Sequence, residues 1–292
     1  MLIIDNQNGL NNFCEQLLQY KVIGVDTEFV RERTYFAQLS IIQVITSDHK
    51  MIIDNLSKID LSPLNEIFLN DQILKIFHAP REDFEIFYRL FKKLPKNIFD
   101  IQIAAGLSNF GKYLSYADIC SKICGIQVDK TYQRSNWLKR PINADMLDYA
   151  IKDVEYLEPI YQILQPIIAN NNLQQDYNAQ IKSLLNIENY IVNPSNAWKK
   201  VRFDNYSSTF IDKMKIMAGY REEGASKIDV PRRHFITDED LVKICQYLPI
   251  SDKDFKNLRL ESNYLNNKIY RTEVGNLCVG LREVREKNNF YA

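Results

Sequence analysis

Chemistry first becomes possible in this sequence at Val25-Asp26-Thr27-Glu28-Phe29, where the apolar run Lys21-Val-Ile-Gly-Val-Asp26 ends in acids. Side chains alternate along a strand, so Asp26 and Glu28 project to the same side. Two carboxylates at the end of an apolar strand repel each other and lose hydration unless a cation neutralises them. Their hard oxygen atoms suit Mg²⁺ or Mn²⁺ better than zinc. A third acid, Asp83, opens a helix just after the apolar run Leu74–His78. The helix dipole alone would favour an acid there, but it is also a position at which α/β folds present functional groups. In Tyr149-Ala-Ile-Lys-Asp153, Tyr149 and Asp153 share one helix face, which continues through the apolar Met146, Ala150 and Leu157. An aspartate on the inward side of such a helix needs a partner, and a shared metal site would provide one.

The elements that must position these groups follow from the pattern around them. Lys21–Asp26, Gln38–Ile45, Lys50–Asp54 and Leu74–His78 read as strands, with Thr46–His49 as a turn. Ser62–Leu69 reads as a helix with Ser62 at its N-cap and Pro63 at its first position. A second helix runs from near Asp83 to Lys92, and from Phe99 onward the pattern is mainly helical, with its longest periodic stretch at Ala144–Ala169. Strands giving way to helices, with some alternation, predict an α/β domain with a mixed sheet. At 292 residues the chain suits one large domain and a smaller one. The turn-rich Val192-Asn-Pro-Ser195 divides it into residues 1–192 and a helical remainder, 193–292.

Composition narrows the classes. A hydrophobic fraction of 46% allows a substantial core. No apolar run reaches the roughly 18 residues that a membrane span needs, and the N-terminus lacks the basic region of a signal peptide. Five scattered cysteines point to a reducing, cytoplasmic setting. Cys120 and Cys124 have helical spacing, but no second Cys/His pair completes a zinc set. Formal net charge is zero, yet residues 1–192 carry 19 basic against 23 acidic residues and residues 193–292 carry 18 against 14. An acidic part joined to a mildly basic one suits metal chemistry beside phosphate binding. The absence of any Gly-x-x-x-x-Gly-Lys-Ser/Thr loop excludes a nucleotide-driven motor of that type and gives no nucleotide cofactor.

Asp26-x-Glu28, Asp83 and Tyr149-x-x-x-Asp153, in that order, resemble the three exonuclease motifs of the tyrosine branch of the DEDD superfamily. The similarity is greatest to the ribonuclease D family. It is carried by Asp26-Thr-Glu-Phe-Val-Arg-Glu-Arg-Thr-Tyr-Phe-Ala-Gln-Leu39, His78-Ala-Pro-Arg-Glu-Asp83, Phe99–Ala105, Leu138-Lys-Arg-Pro141 and Tyr149–Leu157. Residues 198–285 resemble, more weakly, the helical helicase-and-RNase-D C-terminal (HRDC) domain. That match rests on Trp198-Lys-Lys-Val, on Ala218–Pro231 and on Phe235–Leu241; beyond Leu260 it fades and gives no expectation for a last helix.

The resemblance implies a ribonuclease H-like mixed sheet with flanking helices, followed by a small all-α domain. It implies a metal-dependent 3′-5′ exoribonuclease using two divalent ions, Mg²⁺ or Mn²⁺. Asp26, Glu28 and Asp153 would ligate directly, with Asp26 bridging; Asp83 would act through water, and Tyr149 would orient the attacking water. The implied substrate is RNA with a single-stranded 3′ end, tRNA precursors above all, with neither a membrane nor an obligate protein partner. Phe29, Tyr35, His78, Trp137 and Arg140 are candidate RNA contacts, by stacking or by holding phosphate, although Trp137 equally suits a core and Arg140 a solvated loop. Lys199, Lys200, Arg202, Arg232 and Arg233 are a candidate basic strip. Two residues depart from the family pattern: Asn136, where an acid usually precedes the tryptophan, and Tyr220, in place of tryptophan. The alternatives are a DNA-directed exonuclease of the same chemistry and a catalytically silent RNA-binding scaffold.

Overall fold

A computed structural model gives the fold over residues 2–129, 131–133, 135–204 and 207–290, with the backbone alone over 284–290. The first unit comprises residues 1–30 and 37–190. In it the chain runs β1 (Leu2–Ile4), α1 (Gln7–Leu17), β2 (Val22–Val30), β3 (Gln38–Ile45), β4 (Lys50–Asp54), α2 (Ser62–Leu69), β5 (Leu74–Phe77), α3 (Arg81–Phe91) and β6 (Ile98–Asp100). Helices α4 (Ile101–Leu107), α5 (Tyr116–Ile119), α6 (Ala144–Glu155), α7 (Leu157–Asn170) and α8 (Gln174–Leu184) follow. The six strands form one mixed sheet in the order β1-β4-β3-β2-β5-β6. Only β3 runs antiparallel to its neighbours.

β2 lies inside the sheet and is covered on both faces, which is why its first half is continuously apolar. Val25 faces the core formed by α1, α2 and α3 with Leu10, Leu64 and Phe84. The opposite face belongs to α6 and α7. A Cβ at Gly24 would stand 2.6 Å from Ile45 Cγ2 and 3.1 Å from Leu157 Cδ1, so the missing side chain is what lets α7 seat on the strand.

Several elements differ from the sequence reading. β1 and β6 have three residues each, too few for alternation to be visible. Ser62 is the first residue of α2 rather than its cap; its amide and hydroxyl both donate to Asp60 Oδ1, at 3.0 and 2.7 Å. The periodic stretch Ala144–Ala169 is two helices, broken at Tyr156. Pro159 has no N–H to donate back into α6 and fits the first turn of a new helix.

The second unit comprises residues 31–36 and 191–292 and, among the described residues, is helical without strands. Its helices are α9 (Ser208–Lys227), α10 (Arg232–Phe235), α11 (Asp238–Tyr247), α12 (Asp252–Asn257) and α13 (Lys268–Phe290). Ser207, Thr237 and Ser251 cap α9, α11 and α12, the last in a reciprocal capping box with Asp254. The core gathers Met214, Phe235, Ile244, Val274 and Cys278. Tyr35 joins it at 5% exposure. Its hydroxyl donates to Glu222 Oε1 at 2.5 Å and accepts from Arg232 at 3.1 Å, with the guanidinium 4.7 Å from the ring centre. Tyr35, expected to contact RNA, is therefore a core residue of the helical unit. The sequence boundary overlooked Arg31–Phe36 because a six-residue excursion carries no compositional mark.

Glu222 is almost fully buried and forms an ion pair with Arg232. Burial pushes its carboxyl up, but hydrogen bonds from Arg232 and Tyr35 outweigh that and hold it below its ordinary value. A depressed carboxyl stabilises the fold above its unfolded pKa, and that stability is lost as pH falls through the folded value. Glu222→Ala leaves Arg232 without its partner and should cost about 3 kcal/mol in guanidinium denaturation near neutral pH. The difference from the unaltered chain should shrink below about pH 4; a deficit that persists there would assign the loss to packing instead.

Candidate active site

The pleat of β2 sends Gly24, Asp26 and Glu28 toward α6 and α7 and turns Thr27 the other way. β2 continues past Asp26, where the sequence pattern ended it, to Val30; beyond the segment Val22–Gly24 that pairs with β5, Asp26 and Glu28 meet Asp153 from α6. Their oxygen atoms lie within 4.8 Å of one another, and all three residues are half-buried. Asn143 fixes the start of α6 by accepting the Asp145 amide at 2.6 Å. Leu147, Ala150, Ile151 and Val154 hold the helix on the sheet. Tyr149, one turn before Asp153, joins the three acids in a cleft of ≈ 470 Å³ that Phe29 and His78 also line.

Asp83 comes from the other side of β2. It is 6% exposed and accepts the Thr27 hydroxyl. Its approach depends on a residue that the sequence reading did not single out. Asp100, 2% exposed at the end of β6, accepts the amides of Ala79 at 3.1 Å and Gln102 at 2.8 Å. The first bond holds the left-handed turn at Ala79 (φ 50°) that leads into α3, and the second caps α4. An acid closing the apolar run Ile98-Phe-Asp100 immediately before a helix was the available signal. His78, at the same turn, donates its Nε2–H to Leu114 O at 3.0 Å.

The electrostatics are those of acids crowded together with little water. Asp26 stands well above the ordinary carboxylate range because of burial first, then Asp83, Asp153 and Glu28. Glu28 is raised by burial, then by Asp153 and Asp83. Burial lifts Asp153 to about 7, against a hydrogen bond with Tyr149, and Asp83 to about 6, against its bond from Thr27. The Tyr149 phenol is pushed up by burial and by the neighbouring carboxylates Asp153 and Glu28. A divalent cation relieves all of these repulsions at once. The donor set fits one: three carboxylates, with no thiolate or imidazole among them, match Mg²⁺ or Mn²⁺.

The remaining expected contacts fall elsewhere. Trp137 is 1% exposed, packs 6.2 Å from the Tyr149 ring and receives the Ser40 hydroxyl on its carbonyl at 2.6 Å. It supports α6 rather than offering a stacking face. Arg140 makes a two-pronged pair with Asp54, at 2.7 and 2.6 Å, which uses the guanidinium edge a phosphate would need. Asn136 is exposed and accepts the Leu138 amide at 3.2 Å, a turn contact made through its side-chain oxygen. In the candidate basic strip, Arg232 and Lys200 face Glu222 and Arg233 pairs with Asp238.

Similarity to known proteins gives the family. A family model described as 3′-5′ exonuclease matches residues 1–169. A ribonuclease D of Bartonella henselae is 35% identical over 283 residues, spanning 96% of this chain and 70% of that relative. One of Jannaschia sp. is 33% identical over 262 residues, with shares of 88% and 68%. Among solved structures, Escherichia coli RNase D, described as an exoribonuclease involved in structured RNA processing, matches with a TM-score of 0.85 at 27% identity. That match covers 96% of this chain and 74% of the solved one. The catalytic core of RRP6 from Trypanosoma brucei, 22% identical with a TM-score of 0.72 over 96% of this chain and 79% of its own, shares the fold. With its acid cluster on β2 and α6 and its helical C-terminal region, the chain belongs to the ribonuclease D family of metal-dependent 3′-5′ exoribonucleases.

Proposed function

We propose that this exoribonuclease trims RNA with a single-stranded 3′ end, tRNA precursors in particular, in the cleft lined by Asp26, Glu28, Tyr149 and Asp153. The reading is carried by the convergence of three carboxylates from two elements within 4.8 Å. Asp26, Glu28 and Asp153 would hold two divalent ions, Mg²⁺ or Mn²⁺, with Asp83 assisting from the far side of β2. Bound there, such ions activate a water for attack and neutralise the departing 3′-oxygen. The protein's own groups supply orientation. The raised pKa of Tyr149 keeps its hydroxyl protonated at neutral pH, so it serves as a hydrogen-bond donor and aligns the attacking water rather than taking its proton.

Phe29 and His78 are the two expected contacts that line the cleft. Burial lowers the His78 pKa, so its ring is neutral at pH 7 and meets a terminal nucleotide by face and edge, not by charge. Residues 193–292 would act as an HRDC-like nucleic-acid-binding module beside an exonuclease domain of residues 1–192. The five free cysteines fit a cytoplasmic location.

A 5′-labelled RNA with a short 3′ tail, incubated with Mg²⁺, Mn²⁺ or EDTA, should shorten stepwise from its 3′ end only with metal. Asp26→Ala and Asp153→Asn should slow this by at least about 10³-fold without loss of fold. Near-normal turnover in either variant would overturn the metal-ligand assignment, and equal trimming of a matched DNA would favour the DNA-directed alternative.

The raised carboxyls also fix the pH dependence. Their folded pKa values exceed the unfolded ones, so without metal they favour folding when protonated and oppose it as pH rises from about 4 through about 7. Metal competes with those protons. The rise in melting temperature produced by Mn²⁺ should therefore grow from about pH 5.5 to about pH 8. Asp153→Asn should melt higher than the unaltered chain at the upper pH without metal, yet gain less from Mn²⁺. A metal-induced shift independent of pH would contradict this.

A further inference from the structure

Tyr116 stands outside the three acid motifs, yet its hydroxyl occupies a gap in the helix that carries Asp153. In a continuous helix the amide of Tyr156 would donate to the carbonyl of Lys152. Here the Tyr116 hydroxyl lies between the two groups. It donates to Lys152 O at 3.0 Å and accepts the Tyr156 amide at 3.0 Å. The two ends of that interrupted bond flank Asp153 in sequence, and the break between α6 and α7 falls at Tyr156. Tyr116 is 9% exposed, and its ring centre lies 5.8 Å from that of His78, with which it lines the cleft. On the opposite flank of the same turn, Glu155 is paired with Lys50 of β4.

We propose that Tyr116 is a positioning residue for metal binding: its inserted hydroxyl fixes the last turn of α6 in the broken geometry that aims the Asp153 carboxylate at Asp26 and Glu28. Without the hydroxyl, Lys152 O loses its bridge to the Tyr156 amide, which keeps only its short-range contact to Val154 O, and the part-buried turn can tighten and rotate Asp153. Pro159 has no N–H to extend the α6 ladder into α7, so beside the Lys50–Glu155 pair the Tyr116 hydroxyl is the group that spans the break. This rests on the reading of Asp153 as a metal ligand, and the test separates the two.

Binding of Mn²⁺ alone is followed by electron paramagnetic resonance of the free ion, with RNA shortening in parallel, for the unaltered chain, Tyr116→Phe, Tyr116→4-aminophenylalanine and Asp153→Asn. Tyr116→Phe should raise the half-saturating Mn²⁺ concentration about tenfold in both assays, with the KM for RNA little changed and the variant still folded without metal. The amino variant, which keeps a polar group in the gap, should recover most of the affinity. Wild-type Mn²⁺ binding by Tyr116→Phe would overturn the proposal. So would failure of that variant to fold, or equal weakness of the amino variant, because either would make the ring or the hydroxyl a plain stability element. If Asp153→Asn binds Mn²⁺ like the unaltered chain, the ligand reading itself fails, whatever Tyr116 does.

Discussion

Mutual repulsion among Asp26, Glu28, Asp83 and Asp153 is the constraint around which the first unit is built. Buried acids of like charge are costly, and each is held in place by structure that has little else to do. β2 is locked between antiparallel β3 and parallel β5. Trp137 and the apolar side of α6 press Asp153 onto the sheet, while Asp100 fixes the turn behind Asp83. Relief of that repulsion is what a divalent cation would gain there.

The two faces of β2 divide the labour. Gly24, Asp26 and Glu28 look toward α6 and α7, and Thr27 looks toward α3, where its hydroxyl engages Asp83. A single nine-residue strand therefore supplies two ligand candidates on one side and a tether for a third acid on the other. The missing side chain at residue 24 brings α7 close, and closeness there is what places the helix break beside the acids.

Much of this was legible in the sequence. Asp26, Glu28 and the Tyr149–Asp153 pair were visible because acids interrupting an apolar strand or the buried face of a helix violate the local pattern. Strands β3 and β4 were visible from their length and β-branched content. What escaped depended on tertiary partners. Three-residue strands show no period, Asp100 looks like any helix cap, and the break at Tyr156 is hidden inside an unbroken apolar rhythm. Trp137 and Arg140 misled for a related reason: an aromatic ring and a guanidinium near a motif are equally suited to ligand and to scaffold, and only Tyr149 and Asp54 decide between them. Tyr35 could not have been assigned from its neighbours, since the groups that satisfy it are remote in sequence.

That remoteness bears on how the chain is made. Tyr35 leaves the ribosome shortly after β2, whereas Glu222 follows it 187 residues later, and Asp229 follows Phe36, whose amide it receives, 193 residues later. Contacts of such long sequence separation form late and slowly, and during synthesis the N-terminal part is exposed before its partners exist. The hexapeptide Arg31–Phe36 must therefore wait, aromatic rings unburied, until most of the polypeptide has emerged. The covalent order of the chain and the order of assembly are thus different orders, and the helical unit takes in a hexapeptide made long before the rest of it.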